Sequence, residues 1–326
     1  MSVRAGIASL AVPLVSIIIP CHNAAPWLAE TLESALAQTW QEKEIILVDD
    51  GSTDESLATA RAFEPRGVRV LSQSNLGASA ARNLGLQNAC GDYLQFLDAD
   101  DVLAPDKIER QLSRLTVSSA PAVATCAWAR FYTEPTEARF VREPLWEDLA
   151  PVDWLVCSWE QQVMMATAAW LVPRAVAERA GSWNVELAHN PIDDMEYFSR
   201  VLLAAEKVLF CGDARVYYRS GLPDSLSQRR TDAAWLAIFQ SFHLTIDRLL
   251  AHEDLPRTRH AGAVVLQRLV YECYPRMPAL RVTAAERVRA LGGCDLLPDA
   301  GPWRRRLQRL IGWKATKRLH DWYYHA

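Results

Sequence analysis

The sequence is short of the features that would assign it at a glance. Seven cysteines (Cys21, Cys90, Cys126, Cys157, Cys211, Cys273 and Cys294) are scattered over 326 residues, and no two form a Cys-x-x-Cys pair. An odd, scattered set excludes a zinc pattern and a disulfide framework, and suits buried thiols in a reducing compartment. Neither sign of charge dominates: 35 Lys and Arg face 39 Asp and Glu, a net −4. That is too mild for a nucleic-acid partner. Past the N-terminus no apolar run reaches the ~18 residues of a membrane span. There is no internal repeat and no low-complexity segment. No Gly-x-Gly-x-x-Gly follows the first strand, which argues against a dinucleotide dehydrogenase. "PCHNAAPW" also lacks the glycine-rich, basic loop that a nucleotidyltransferase usually needs there.

What is present is apolar material and rhythm. Half the residues are hydrophobic, ample for one large domain or two smaller ones. Arg4 and the apolar run from Ala5 to Ile19 imitate a secretory leader. Pro13 interrupts that run, and the β-branched "VSIII" (Val15 to Ile19) predicts a buried strand instead. From there to residue 115, "LVSIIIP", "KEIILVDD", "VRVLSQ" and "YLQFLD" read as strands. "PWLAETLESALAQ" puts Leu28, Leu32, Ala35 and Leu36 on one helical face. "DESLATARAF", the small-residue "GASAARNLGLQNA" and "PDKIERQLSRL" are helices too. Continuous apolar strands between helices predict a mostly parallel sheet covered on both faces, the Rossmann-like, doubly wound α/β class. Beyond Pro121 the rhythm changes. "AVATCAWARFY" suits a longer strand, "TEPTEARFVREP" a loop and "ATAAWLVP" a strand. "DDMEYFSRVLLAAE" is a helix with Met195, Phe198, Leu202 and Ala205 on one stripe, and "KVLF" and "ARVYYR" are two short strands. After Ser227 the pattern is mostly helical.

Ligands of open parallel sheets bind outside the C-terminal ends of the strands. Three such ends are polar here: "PCHN", "VDDGSTD" and "LDADD". One acidic strand end is ordinary, because Asp caps helices well; Asp54 reads as a cap and Asp101 as doing similar local work. Asp50, Asp98 and Asp100 together point to function. Mg²⁺ and Mn²⁺ take oxygen ligands, and Mg²⁺ usually accepts one or two carboxylates beside water and phosphate. In Asp-x-Asp one carboxylate reaches the metal while the other holds a sugar or ribose hydroxyl, and Ala99 leaves room. A cation and a phosphorylated ligand would explain carboxylates that otherwise repel each other.

In order, "VSIIIPCHN", "VDDGSTD", "SNLGASAARNLGL", "LDADD" and "IDD" resemble the motifs of the family 2 glycosyltransferases, from Val15 to about Ser227. The resemblance implies the glycosyltransferase-A (GT-A) fold with a C-terminal helical region added. It implies inverting transfer from a nucleotide-diphosphate sugar, commonly UDP-linked, with Mn²⁺ or Mg²⁺ as cofactor. The acceptor would be a hydroxyl of a glycan, a lipid-linked sugar or another molecule in polysaccharide or glycoconjugate synthesis. By the same resemblance Pro20 and Asp50, with Asp49 beside it, hold the nucleotide base, and Asn23 belongs to the same end. Gly77, Arg82 and Asn83 lie against the nucleotide, Asp98 sits near the sugar nucleotide, and Asp100 binds the metal. Asp194, second of an acidic pair opening a helix, matches the catalytic base; Asp193 is expected to cap that helix. A non-catalytic nucleotide-sugar-binding protein of the same fold and a nucleotidyltransferase are the rival readings. Cys21-His22-Asn23 departs from the family's usual Thr-Tyr-Asn or Ala-Tyr-Asn. Cys21 reads as a small buried residue rather than a nucleophile, and His22 as a metal ligand or, more often for a lone His, a hydrogen-bonding residue.

Three later features stay open on sequence alone. Arg219 is either a phosphate contact or a surface arginine, and the loop from Ser220 to Arg230 is a candidate lid. Trp154, Trp159, Trp170 and Trp183 either stack on sugars or fill the core. "PWRRRLQRLIGWKATKRLHDWYY" holds seven Lys and Arg between Arg304 and Arg318 and no acid. It is either a peripheral membrane contact through 303–322 or a helix docked on protein with a solvated basic face. The expected plan is an N-terminal extension (1–13), a nucleotide-sugar half (14–115), an acceptor and base half (116–230) and a helical region (231–326). The expected location is the cytoplasm, at the inner membrane face if the tail meets lipid.

Overall fold

The computed structural model describes residues 12–187, 190–222, 225–298 and 302–325, with the backbone alone at 302–305 and 320–325. Its strands are β1 (Val15–Cys21), β2 (Lys43–Asp50), β3 (Val68–Gln73), β4 (Tyr93–Phe96), β5 (Val102–Leu103), β6 (Ala122–Phe131), β7 (Val172–Pro173) and β8 (Lys207–Arg219). Its helices are α1 (Ala25–Leu36), α2 (Ser56–Ala62), α3 (Ala78–Asn88), α4 (Lys107–Leu115), α5 (Pro151–Gln161), α6 (Arg174–Ala180), α7 (Asp193–Leu203), α8 (Asp232–His252), α9 (Pro256–Glu272), α10 (Pro278–Ala290), α11 (Pro302–Ile311) and α12 (Trp313–His325). The chain divides into two compact units that interleave in sequence. The first is Met1–Val141, Ala166–Ser182 and Leu209–Ser220; the second is Arg142–Met165, Trp183–Val208 and Gly221–Ala326.

In the first unit the expected sheet is present. Its order is β3-β2-β1-β4-β7, with β1 to β4 parallel and β7 antiparallel to β4. All seven residues of β1 are buried, as a central strand covered on both faces requires. The small residues of α3 let it lie close on the sheet. A Cβ at Gly85 would stand 2.4 Å from Ile18 Cγ2, so any larger residue would push the helix away. Leu28, Leu32 and Ala35 of α1 are buried on the predicted face. One buried charge is unusual. Lys107 is fully buried at the start of α4, where its Nζ donates to Gln95 Oε1 and to the Trp170 carbonyl at 3.3 Å. Burial pushes its pKa down to about 8.

Two elements differ from the sequence reading. "KVLF" and "ARVYYR" are one 13-residue strand, β8. It is the centre of a second sheet, β5-β8-β6, whose ladder carries the backbone through Gly212 and Asp213. "ATAAWLVP" is mostly not strand. It makes a 3₁₀ turn over Thr167–Ala169, a bridge from Leu171 to Ala124, and only the two residues of β7.

The second unit is helical. α7 packs on α8, and α9 packs on α5, α8 and α10. Trp183 stacks on Tyr197 at 4.0 Å and meets Phe198 edge-on at 5.8 Å. Trp154, Trp159, Trp170 and Trp183 are all buried, so of the two tryptophan readings the core one is observed. Glu196 on α7 is 1% exposed and is held by Arg200 and by Arg248 of α8. Asp193 does not cap α7: Ile192 occupies the N-cap without a side-chain cap bond, Asn190 Oδ1 takes the Ile192 N–H at 3.1 Å, and Asp194 Oδ1 takes the Met195 N–H at 2.9 Å. Part of the C-terminal tail is docked. Trp313 meets Tyr271 and Tyr274 edge-on at 4.8 and 5.0 Å, and Lys317 Nζ donates to the Tyr271 and Glu272 carbonyls.

Candidate functional site

The strand order brings the polar ends together. β2, β1 and β4 are neighbours, so Asp49 and Asp50, Pro20 and Cys21, and the turn Asp98 to Asp101 share one edge of the sheet. Connections run outward in both directions from β1, so the crevice between the ends of β1 and β4 is the topological switch point where such sheets bind ligands.

At the β2 end, Asp50 is 3% exposed and its carboxylate is heavily used. Oδ1 accepts from Gln73 Nε2 at 2.7 Å and from the Leu76 N–H at 2.8 Å; Oδ2 accepts from the Gly77 N–H at 2.8 Å. Gly77 has φ of 94°, which favours glycine, at the N-cap of α3. Asp50 therefore fixes the loop that launches α3, and of its four lone pairs one, on Oδ2, has no donor among the described residues. Asp49, equally buried, receives among the described residues only the Ser52 N–H, at 3.4 Å. His22 Nδ1 lies 2.9 Å from the Asp50 carbonyl, an acceptor, so Nδ1 carries the hydrogen and Nε2 accepts from Asn75 at 3.2 Å. The hydrogen-bonding reading of His22 is the one observed. Asn23, in left-handed backbone, takes the Thr53 N–H on Oδ1 at 2.8 Å. Burial pushes the Cys21 thiol up to about 12, so it is no nucleophile at neutral pH. Asp54 serves two helix starts, accepting from Ser56 N at 2.9 Å and Ala25 N at 3.1 Å.

At the β4 end, buried Arg82 on α3 donates to Asp98 Oδ1 at 2.8 Å; Asn83, next on the same helix, is partly buried. Asp100 is raised to about 7, first by burial and then by the charge of Asp98. Asp101 is fully buried and raised well above the usual carboxylate range, first by burial and then by the charges of Asp100 and Asp98. It does not work locally. α4 takes Asp106 as its N-cap, whereas Asp101 Oδ1 accepts the Arg219 N–H at 2.9 Å, 118 residues away. Arg219 is 6% exposed, which excludes the surface reading. Its Nε donates to the Asp100 carbonyl at 3.0 Å, Nη1 to the Thr133 carbonyl at 3.4 Å, and Nη2 to Glu30. The guanidinium lies 4.4 Å over the Phe131 ring. Arg219 thus clamps the acidic turn to the end of β8, a function that sequence spacing could not reveal.

The donor set suits a hard divalent cation. Three carboxylates lie within four residues, two of them held above their ordinary pKa by burial and mutual repulsion, and Asp101 Oδ2 is buried without a hydrogen-bond partner among the described residues. Among those residues no cluster of three or more His, Cys, Asp or Glu is arranged to enclose a metal. Oxygen ligands from a phosphorylated substrate would have to complete the shell.

This architecture is that of the GT-A glycosyltransferases. The structure matches Staphylococcus aureus TarS 1–349 in complex with UDP-GlcNAc over 85% of this chain and 90% of that one, with TM-score 0.60 and 15% identity. It matches the mannosyltransferase PcManGT from Pyrobaculum calidifontis, in complex with GDP-Man and Mn²⁺, over 93% and 84%, with TM-score 0.55 and 17% identity. Residues 16–171 match the family described as glycosyl transferase family 2. The glycosyltransferase GlyG of Streptococcus pneumoniae serotype 4 is 30% identical over 238 residues, 68% of this chain and 75% of that protein. The chain belongs to glycosyltransferase family 2. It spans 42% of one of the first curated relatives it matches and 16% of two others.

Proposed function

We propose that the chain transfers a sugar, with inversion, from a nucleotide-diphosphate sugar to an acceptor hydroxyl. The observation that carries this reading is the Arg82–Asp98 pair beside Asp100, at the switch point of the sheet. Pro20, Asn23, Asp49 and the free lone pair of Asp50 would receive the base, and Gly77, Arg82 and Asn83 the ribose and diphosphate side. Asp98 would orient the sugar or ribose. Asp100 would hold Mn²⁺ or Mg²⁺, which when bound offsets the charge of the leaving diphosphate. Arg219 would keep that turn rigid, its nitrogens being spent on protein acceptors. A UDP-sugar is the favoured donor, as TarS was solved with UDP-GlcNAc; a GDP-sugar, as in PcManGT, is the other. The acceptor would be a glycan or lipid-linked sugar, and the seven free cysteines favour the cytoplasm.

Asp194 would act as the base. It stands in the first turn of α7, where the positive helix end favours the carboxylate form. It takes the proton of the acceptor hydroxyl. The oxygen forms its bond to the anomeric carbon on the face opposite the leaving group, and the bond to the diphosphate oxygen breaks with its electrons on that oxygen. Asp194→Asn is expected to lower kcat roughly 10²- to 10⁴-fold, the usual contribution of a general base, while donor affinity stays as in the wild type. Near-normal turnover in that variant would remove Asp194 from the mechanism.

A further inference from the structure

The C-terminal tail is only partly committed to protein. Trp313, Thr316 and Lys317 of α12 are engaged with the end of α9 or buried. On α11, by contrast, Leu310 is 81% exposed and Ile311 45%, and on α12 Leu319 is 50% exposed. They lie among the exposed cations Arg306, Arg309, Lys314 and Arg318, in a stretch without a single acid. A merely solvated helix would expose its charges and cover its leucines.

A second feature lies within the same unit. An open groove of about 400 Å³ is lined by Leu236, Phe239, Met277, Pro278, Leu280 and Thr283, almost wholly by carbon. Leu236 and the neighbouring Val282 are themselves 47% and 58% exposed. A ring close in sequence to the groove contacts the tail. Tyr274, three residues before Met277, receives the edge of Trp313, and the guanidinium groups of Arg281 and Arg318 lie 4.7 and 5.7 Å from its ring centre. An apolar slot beside cations is complementary to an anionic amphiphile, whose chain needs the first and whose headgroup needs the second.

We propose that this end of the second unit docks peripherally on an anionic lipid surface. Leu310, Ile311 and Leu319 enter the interface among the cations, and the Leu236–Thr283 groove takes an acyl chain. Trp313 is not part of this anchor, because it is spent on Tyr271 and Tyr274. Among the described residues no helix is long and apolar enough to cross a membrane. The proposal deepens the reading of location, and vesicle binding is measured without donor or turnover, so its failure leaves the transferase reading untouched.

The test is co-sedimentation of the full chain with vesicles of phosphatidylglycerol and phosphatidylcholine, against phosphatidylcholine alone. Binding should require the anionic lipid. Arg306→Glu with Arg309→Glu, and separately Leu310→Glu with Ile311→Glu, should each weaken it at least about tenfold while melting curves stay unchanged. Leu236→Glu should weaken it as well. Equal binding to neutral vesicles, wild-type binding by the tail variants, or equally tight capture by polyglutamate in place of lipid would overturn the proposal.

Discussion

Asp50→Asn separates two adjacent aspartates that the sequence cannot rank. The Asp50 carboxylate receives three donors, from Gln73, Leu76 and Gly77. An amide offers one acceptor oxygen and one donor nitrogen. With its oxygen toward Leu76, its nitrogen opposes the Gly77 N–H, donor against donor; turned over, it opposes the Leu76 N–H. Either way one buried backbone N–H loses its partner and the remaining bonds fall to neutral strength. Hydrogen bonds to a charged group contribute about 1.5–3 kcal/mol, so the expected loss of stability is about 2–3 kcal/mol. It is read as a lower midpoint in guanidinium melts followed by tryptophan fluorescence. Donor affinity should fall too, because the loop leads through Gly77 into the helix that carries Arg82. Asp49→Asn is the control. Its one contact, at 3.4 Å, is long, and its loss should cost under about 1 kcal/mol. Equal destabilisation by the two substitutions, or a wild-type melt for Asp50→Asn, would refute this assignment.

Two further outcomes follow from buried cations. Lys107 has its folded pKa lowered from 10.5 to about 8, so between those values the unfolded chain binds more protons and stability rises with pH. Relative to Lys107→Met, whose side chain does not titrate, the wild type should gain about 2 kcal/mol between about pH 7 and 9.5. A flat difference would show that Lys107 keeps its ordinary pKa in the folded protein. Arg219→Lys keeps the charge but cannot span Glu30 and the Asp100 and Thr133 carbonyls together. It should lower stability by about 1–3 kcal/mol; unchanged stability with a selective loss of donor affinity would instead make Arg219 a phosphate contact.

Much of the first unit was legible because its strands are continuous apolar runs ending in polar residues. "VSIII" can only be buried, and "LDADD" marks where burial stops. β8 was not legible as one strand: Gly212 and Asp213 are poor strand formers, and their place inside a 13-residue strand at the centre of a sheet overrides that preference. The motif residues could be picked out, but their division of labour could not. Asp101 read as doing local work and Arg219 as a phosphate contact or a surface arginine, because the partners that settle their roles, each other among them, lie far apart in sequence. Asp193 matched a capping pattern, yet Asn190 had already turned the backbone into α7. The tail's sequence showed an amphipathic basic helix; only packing shows which of its apolar residues are occupied.

The central claim is that the acidic turn after β4 holds a cation-bridged nucleotide sugar. It is tested most directly by calorimetry of UDP-sugar binding with and without Mn²⁺, on the wild type and on Asp100→Asn, at pH 6 and pH 8. Because Asp100 is raised to about 7 by burial and Asp98, it is largely protonated at the lower pH and becomes a ligand at the higher. Mn²⁺-dependent binding should therefore strengthen from pH 6 to pH 8 in the wild type and be lost in the variant. The same Mn²⁺-dependent affinity in Asp100→Asn, or donor binding indifferent to metal at both pH values, would contradict it.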